Sequence, residues 1–200
     1  MRDNHRINYL LVGVGGQGTI LASDILAEVG MNLGYQVKKA EIHGMSQRGG
    51  SVVSHVRWGT QVFSPIIEEG KADILIAFEK LEACRSIMQL RRGGIALVND
   101  YTILPITVTN GQAIYPTDEQ IHESLTKVTN HIYWIKGIEM AERLGNIRVA
   151  NIVLLGALST ILEQDEDIWL KVIEAHVPPK YLEINREAFH QGRQAASRAS

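Results

Sequence analysis

The chain is 200 residues long, 45% apolar and 21% charged, with a net charge of -2, which is ordinary globular usage for one large domain. The near-neutral balance, with few aromatics and none interleaved with basic clusters, excludes a basic field built for nucleic acid. A lone cysteine, Cys84, excludes an intrachain disulfide and any iron–sulfur or Cys-rich zinc site made by this chain alone.

The opening MRDNHRINYLLVGVGG carries an apolar run broken by glycines, so it reads as a strand rather than a signal peptide. No stretch is long and apolar enough to read as a transmembrane segment, and the expected setting is cytoplasmic. Residues 7–12 form the first strand, a continuous apolar run suited to a sheet centre. After the turn Gly13–Gly18, residues 19–33 predict a helix on the stripe Ile20, Leu21, Ile25, Leu26, Val29 and Leu33, ended by Gly34. Residues 36–42 read as a partly exposed or edge strand and 51–58 as a half-buried one. Residues 73–78 (DILIAF) form a second buried strand, followed by a helix over 80–90 that Arg91–Gly94 caps. A short strand over 95–99 precedes a strand-rich excursion at 100–115, where Asn110-Gly111 is a hairpin signal. Thr117 and Gln120 have the spacing of a capping box at a helix start.

From about residue 138 helices accumulate: 138–144, 149–162, 166–175 and 179–193, with a small polar tail, QGRQAASRAS, expected to fray. The pattern predicts one α/β domain over 1–200, a doubly wound sheet with a helix-rich C-terminal part. Cys84 lies on an apolar helix face and reads as a small buried hydrophobe. Trp134 and Trp169 read either as core or as interface anchors.

Strand, GVGGQG, helix is the order in which G-x-G-x-x-G has meaning, with Gly13, Gly15 and Gly18 in register. The turn is open to three readings: phosphate or nucleotide binding at the helix start, NAD binding, or a structural tight turn. Glu41 stands near where a ribose-binding acid belongs. No P-loop motif occurs, and the histidines do not cluster at metal-ligand spacing, so neither a metal site nor a catalytic residue is assigned.

Residues 43–52, HGMSQRGGSV, connect two strands with far more polar and glycine residues than a turn needs. They are expected at the carboxyl edge of the sheet beside Gly13–Gly18, where open α/β sheets bind ligands. Ser46, Gln47, Arg48, Gly49 and Gly50 offer backbone donors and one guanidinium suited to phosphate or carboxylate. The same stretch also reads as a plain surface loop.

Taken together, GVGGQGTILASDILAE, HGMSQRGGSV and NIVLLGAL resemble the gamma-type subunit or domain of 2-oxoacid:ferredoxin oxidoreductases, particularly the small subunit of the indolepyruvate-specific branch. The resemblance runs from about residue 8 to 162. It implies a three-layer Rossmann-like sheet like domain III of pyruvate:ferredoxin oxidoreductase. It also implies a complex that oxidatively decarboxylates a 2-oxoacid, indolepyruvate or another arylpyruvate, to an acyl-CoA. A large partner subunit would carry thiamine diphosphate, magnesium and the iron–sulfur clusters, and ferredoxin would take the electrons from that complex. This chain would hold no cofactor tightly, touch neither nucleic acid nor membrane, and be silent alone. The family-like positions are Gly13, Gly15, Gly16, Gln17 and Gly18, then residues 43–51, then Asn151 and Gly156. The glycine-rich sets would line a partner interface or a shared coenzyme A site. The competing reading is a stand-alone Rossmann-like protein binding NAD(H) or FAD.

Overall fold

The computed structural model describes residues 6–43 and 50–199. A six-stranded sheet has the spatial order β2-β3-β1-β4-β5-β6. The strands are β1 (Ile7–Val14), β2 (Gln36–His43), β3 (Ser51–Gly59), β4 (Ala72–Ala77), β5 (Leu90–Asn99) and β6 (His131–Ile135). The helices are α1 (Thr19–Asn32), α2 (Lys80–Ser86), α3 (Ile106–Thr109), α4 (Asp118–Thr126), α5 (Gly137–Arg143), α6 (Ala150–Ile161), α7 (Glu166–His176) and α8 (Leu182–Ala199).

The period of two along the central strands builds three layers. Tyr9 and Leu11 of β1, with Ile74 and Ile76 of β4, face a core shared with α1, α6, α7 and α8. Their neighbours Leu10, Val12, Leu75 and Ala77 face the opposite core, closed by Ala83 of α2 and by Ile121 and Leu125 of α4. Burial on both faces is why β1 and β4 read as unbroken apolar runs. Trp169 is fully buried, whereas Trp134 packs partly buried against the second core. Cys84 does the same, and burial raises its thiol pKa.

The sheet is mixed rather than doubly wound throughout. β3 runs antiparallel to both β1 and β2, with Gln36 opposite Gly59 and His43 opposite Val52. The connection over 44–50 is too short for a parallel crossover, which needs about a dozen residues or more.

Three expectations from the sequence give way, and one strand was not foreseen. α2 stops at Ser86, and Leu90 already pairs with Ala72, so Arg91–Gly94 lie inside β5 rather than capping a helix. A side chain at Gly94 would meet the Asp73 carbonyl at 2.9 Å, and Gly93 has φ +70°, so this pair makes an irregular strand entry. The excursion after β5 contains a single helical turn, α3, with Gly111 leaving it at φ +71°, and no hairpin. β6 has no counterpart in the sequence reading. α8 stays helical to Ala199, because Ala196 is buried and Gly192 lies against α6. The capping box stands: Thr117 and Gln120 bond reciprocally.

His55, buried in β3, accepts the Ile67 amide at Nδ1, 3.2 Å away, which requires that nitrogen to be unprotonated. Burial, helped by Arg57, holds its pKa below the ordinary value. The unfolded chain therefore binds a proton that the folded chain resists. Stability is complete above about pH 6.5 and falls as pH drops from there towards the folded value. Thermal melts between pH 7 and 5 should show this limb, and His55→Gln should make it shallower; an unchanged slope would exclude His55 as its source.

Candidate functional site

At the carboxyl edge, β1 passes through Gly15–Gly18 into α1. Gly16 and Gly18 hold left-handed φ values of 102° and 78°, which glycine adopts without strain. Gln17 folds back over the turn. Its Oε1 accepts the Val14 amide at 2.7 Å, and its Nε2 donates to the Phe78 carbonyl at 2.9 Å. The Gln17 amide returns to Val14 O at 3.2 Å, and the Gly15 amide donates to Gly50 O at 3.0 Å. The Val14, Gly15 and Gln17 amides are thus consumed by the protein.

Two of the motif glycines also serve packing. A Cβ at Gly13 would lie 2.9 Å from Gln17 Oε1 and from Thr19 Oγ1. One at Gly18 would lie 2.6 Å from Asn151 Nδ2, which donates to the Gly18 carbonyl at 3.3 Å. Asn151, at the start of α6, therefore ties the C-terminal helices to the turn. At Gly16 a side chain would meet nothing within 4 Å, so this is where the turn opens outward.

It opens onto a cleft of about 280 Å³. Gly15, Gly16 and Gln17 form one wall; Asn99, Tyr101 and Ile103 another; Ile147 and Arg148 a third. Asn99, buried at the end of β5, donates to Phe78 O at 3.1 Å and accepts the Gly137 amide at 2.9 Å. Because Phe78 O also receives Gln17, one carbonyl laces the ends of β1, β4 and β5 together. Arg148 is exposed, and its guanidinium has no partner among the described residues. Its backbone is fixed by Asn146, whose Oδ1 accepts the Arg148 amide at 3.1 Å. Arg148 also lines a second cleft of about 390 Å³ with Leu21, His176 and Tyr181. It therefore stands on the ridge between two hollows, free to meet an anion.

Of the segment 43–52, Ser46, Gln47, Arg48 and Gly49 lie outside the described residues, as do Gly44 and Met45. Its ends are fixed beside the turn. Gly50 O receives Gly15, Ser51 pairs across the strands with Val14, and Ser51 Oγ donates to Glu82 Oε2 at 2.6 Å. Glu82 is itself buried at the base of α2 and also takes Arg85 at 2.6 Å. The two glycine-rich stretches thus meet at Gly15 and Gly50.

A dinucleotide site is not built here. In that architecture the second strand lies directly beside the first. Here β3 intervenes, which sets Glu41 on β2 about 10 Å across the sheet from β1. Glu41 is also engaged by Lys39 at 2.6 Å. Sequence reasoning missed Asn99, Arg148 and Glu79, a buried carboxylate beginning α2. The Asn146-Ile-Arg148 step before the NIVLLGAL helix, a capping residue beside a cation, is the one local signal for any of them.

Residues 8–195 match the model of the family described as pyruvate ferredoxin/flavodoxin oxidoreductase. The chain is 38% identical over 192 residues to indolepyruvate oxidoreductase subunit IorB of Thermococcus kodakarensis, covering 94% of this chain and 95% of that one. Its fold is similar to that of the keto/oxoacid ferredoxin oxidoreductase gamma subunit of Geobacter sulfurreducens, with TM-score 0.72, 27% identity, and 97% and 98% of the two chains covered. It also superposes on the 2-oxoglutarate:ferredoxin oxidoreductase of Magnetococcus marinus, with TM-score 0.75 and 98% of this chain covered. There the fold spans 32% of a longer chain, and at 20% identity the likeness is one of fold alone. A mixed sheet between helical layers, a self-capped glycine turn and a match over nearly the whole length agree: the chain belongs to the pyruvate ferredoxin/flavodoxin oxidoreductase family.

Proposed function

We propose that the chain is the small subunit of an indolepyruvate-type 2-oxoacid:ferredoxin oxidoreductase, oxidatively decarboxylating an arylpyruvate to its acyl-CoA together with a large subunit. The observation that carries this reading is a family fold whose ligand-facing edge is only half a site. Among the described residues, the cleft beside Gly15–Gln17 has one free cation, Arg148, and no paired acid and base in its walls, and the Val14, Gly15 and Gln17 amides are taken up by the protein itself. A single cysteine cannot hold a cluster by itself, so the clusters are assigned to the partner; thiamine diphosphate and magnesium are assigned there on the family resemblance, and ferredoxin would meet the complex there. One α/β domain over the chain is the reading that its described residues support, since both cores share one sheet. No described helix is long and apolar enough to cross a membrane.

Within the complex, Gly16 and Arg148 would face the phosphates of coenzyme A, with Gly50 at the adjoining edge. In the assembled enzyme the small subunit then contributes positioning and charge, and the chemistry is the partner's.

Co-expression with the large subunit, gel filtration and an assay of viologen reduction dependent on arylpyruvate and coenzyme A test the reading. The two chains should co-elute, and omission of this one should abolish the activity. Separate elution, or activity indifferent to the omission, would overturn it. Within the active complex, Arg148→Ala should raise the KM for coenzyme A about tenfold, the scale of one charge-assisted contact. Its melting temperature should hold; a fall in step with activity would assign Arg148 a structural role.

A further inference from the structure

Residues 101–117 contain no Asp, Glu, Lys, Arg or His, in a chain that is 21% charged. The same segment holds Leu104, Ile106 and Ile114 at 52%, 73% and 95% exposure. Single apolar residues on a surface are ordinary. Three on one uncharged loop are not, because burying each would stabilise the chain by about 1.5–3 kcal/mol.

The loop is prevented from folding them under. The Tyr101 carbonyl accepts the Lys80 amide at 3.0 Å, and the Ile103 amide donates to Glu79 Oε1 at 3.2 Å. At the far end the Tyr115 hydroxyl donates to the same carboxylate oxygen. Just outside the segment, Lys80 Nζ binds Asp118 at 2.6 Å and Asp100 at 3.3 Å, closing both ends on one ammonium. Inside, the Thr109 amide returns to Pro105 O and the Gln112 and Ala113 amides to Thr107 O. From Val108 to Ala113 the backbone amides are satisfied within the loop, and the apolar side chains are held out.

We propose that this pinned loop docks into an uncharged, apolar recess of the large subunit. The proposal rests on the functional reading above and names the surface by which the two chains join. Two observations select that occupant. Tyr101 and Ile103, at the loop's base, also line the cleft beside Gly15–Gln17, so a subunit that completes the cleft must come over this edge and meet the loop. A second copy of this chain is a poor receptacle, because the three clefts seen among the described residues carry charged walls: Arg148 in the two beside α6, Lys80 with Asp100 and Asp118 in the one beside α4. Depletion of charge is the mark of an interface centre.

The test is co-purification with the large subunit. Ile106→Asp combined with Ile114→Asp should weaken association at least tenfold while the isolated chain melts as wild type does. Ile114→Arg alone, at the most exposed position, should weaken it in the same direction. Phe63→Asp, 79% exposed at the opposite edge of the sheet, should co-elute unchanged. Loop variants that bind as wild type does would overturn the assignment and leave the functional reading intact. Self-association of the isolated wild-type chain, abolished by the loop variants, would assign the loop to a second copy and overturn it too. Failure of the wild-type chain itself to bind the large subunit would overturn the functional reading, and the docking surface with it.

Discussion

Gly156→Ala is expected to cost about 3 kcal/mol or more of stability, the upper end of what overpacking a core costs. A Cβ at Gly156 of α6 would lie 2.0 Å from the Phe189 carbonyl oxygen of α8, and one at Gly192 of α8 would lie 1.9 Å from Val153 O of α6. Each glycine thus admits the other helix's backbone. A Cβ at Gly13 or Gly18 would meet first a polar side chain; these two meet main chain, so the relief is for the helices to part. They cannot part cheaply, because α6 is buried from Ala150 to Ser159 and carries the packing between the sheet and α8. For a chain of this size, 3 kcal/mol corresponds to roughly 6–12 °C in melting temperature. Gly192→Ala should cost a similar amount, and the double variant distinctly less than the sum, since separating the helices once relieves both contacts. An unchanged melting temperature for Gly156→Ala, or full additivity, would refute this account of the packing.

That pair also shows where a sequence stops being readable. The apolar stripe of NIVLLGAL announces a buried helix, but not that its glycine is a landing place for a carbonyl 33 residues away in the chain. Motif glycines raise the same difficulty. G-x-G-x-x-G is written in the language of ligand approach, yet Gly13 clears space for Gln17 and Thr19, and Gly18 clears it for Asn151. Only Gly16 is open. Local pattern alone cannot separate a glycine that admits a ligand from one that admits its own protein.

The strands tell a similar story. β1 and β4 were legible because double-sided burial writes an unbroken apolar run, and α4 because its capping box is purely local. The direction of β3 is not a property of its own residues. A period of two is the same read either way, and only the short connection over 44–50 forbids the crossover that a parallel neighbour requires. β6 escaped because its five residues, HIYWI, carry one fully buried side chain, Ile135. Of the site, the two glycine-rich stretches were found by composition and their adjacency by topology. Asn99 and Arg148 come from distant parts of the chain and line one cleft only in the fold, and Glu79 is tied to that cleft through the Ile103 amide. The activity was readable only through resemblance, since the described walls of the cleft bring no acid and base together.

The same logic makes Glu79 a second position of large effect. Its carboxylate is 1% exposed, yet among the described residues it pairs with no cation; it is held by the Tyr115 hydroxyl and the Ile103 amide at Oε1 and by the Glu82 amide at Oε2. Glu79→Ala removes the N-cap of α2, a loss of about 1 kcal/mol, and leaves the other two donors without a charged acceptor, at about 1.5–3 kcal/mol each. The loop over 101–117 can relieve part of that by opening locally. The expected loss of global stability is therefore about 2–4 kcal/mol, less than the sum, with faster proteolysis confined to the loop. Glu79→Gln should fall between: its oxygen still serves Tyr115 and Ile103, but its amide group turns a donor towards the Glu82 N–H. Tyr115→Phe should be milder still, since it removes one donor and leaves the cap. Burial, with Glu79 beside it, holds the Tyr115 pKa well above its ordinary value near 10. The phenol must stay protonated to donate, so its contribution is complete below about pH 10 and is lost as pH rises from there through the folded value. Protection of the loop should decline in that alkaline range in wild type, and Tyr115→Phe should lack that limb. Because the pinned loop is the proposed docking element, Glu79→Ala should also weaken association with the large subunit even at temperatures where the chain remains folded. Equal melting and equal proteolysis for Glu79→Ala and wild type would show that the carboxylate does not hold the loop.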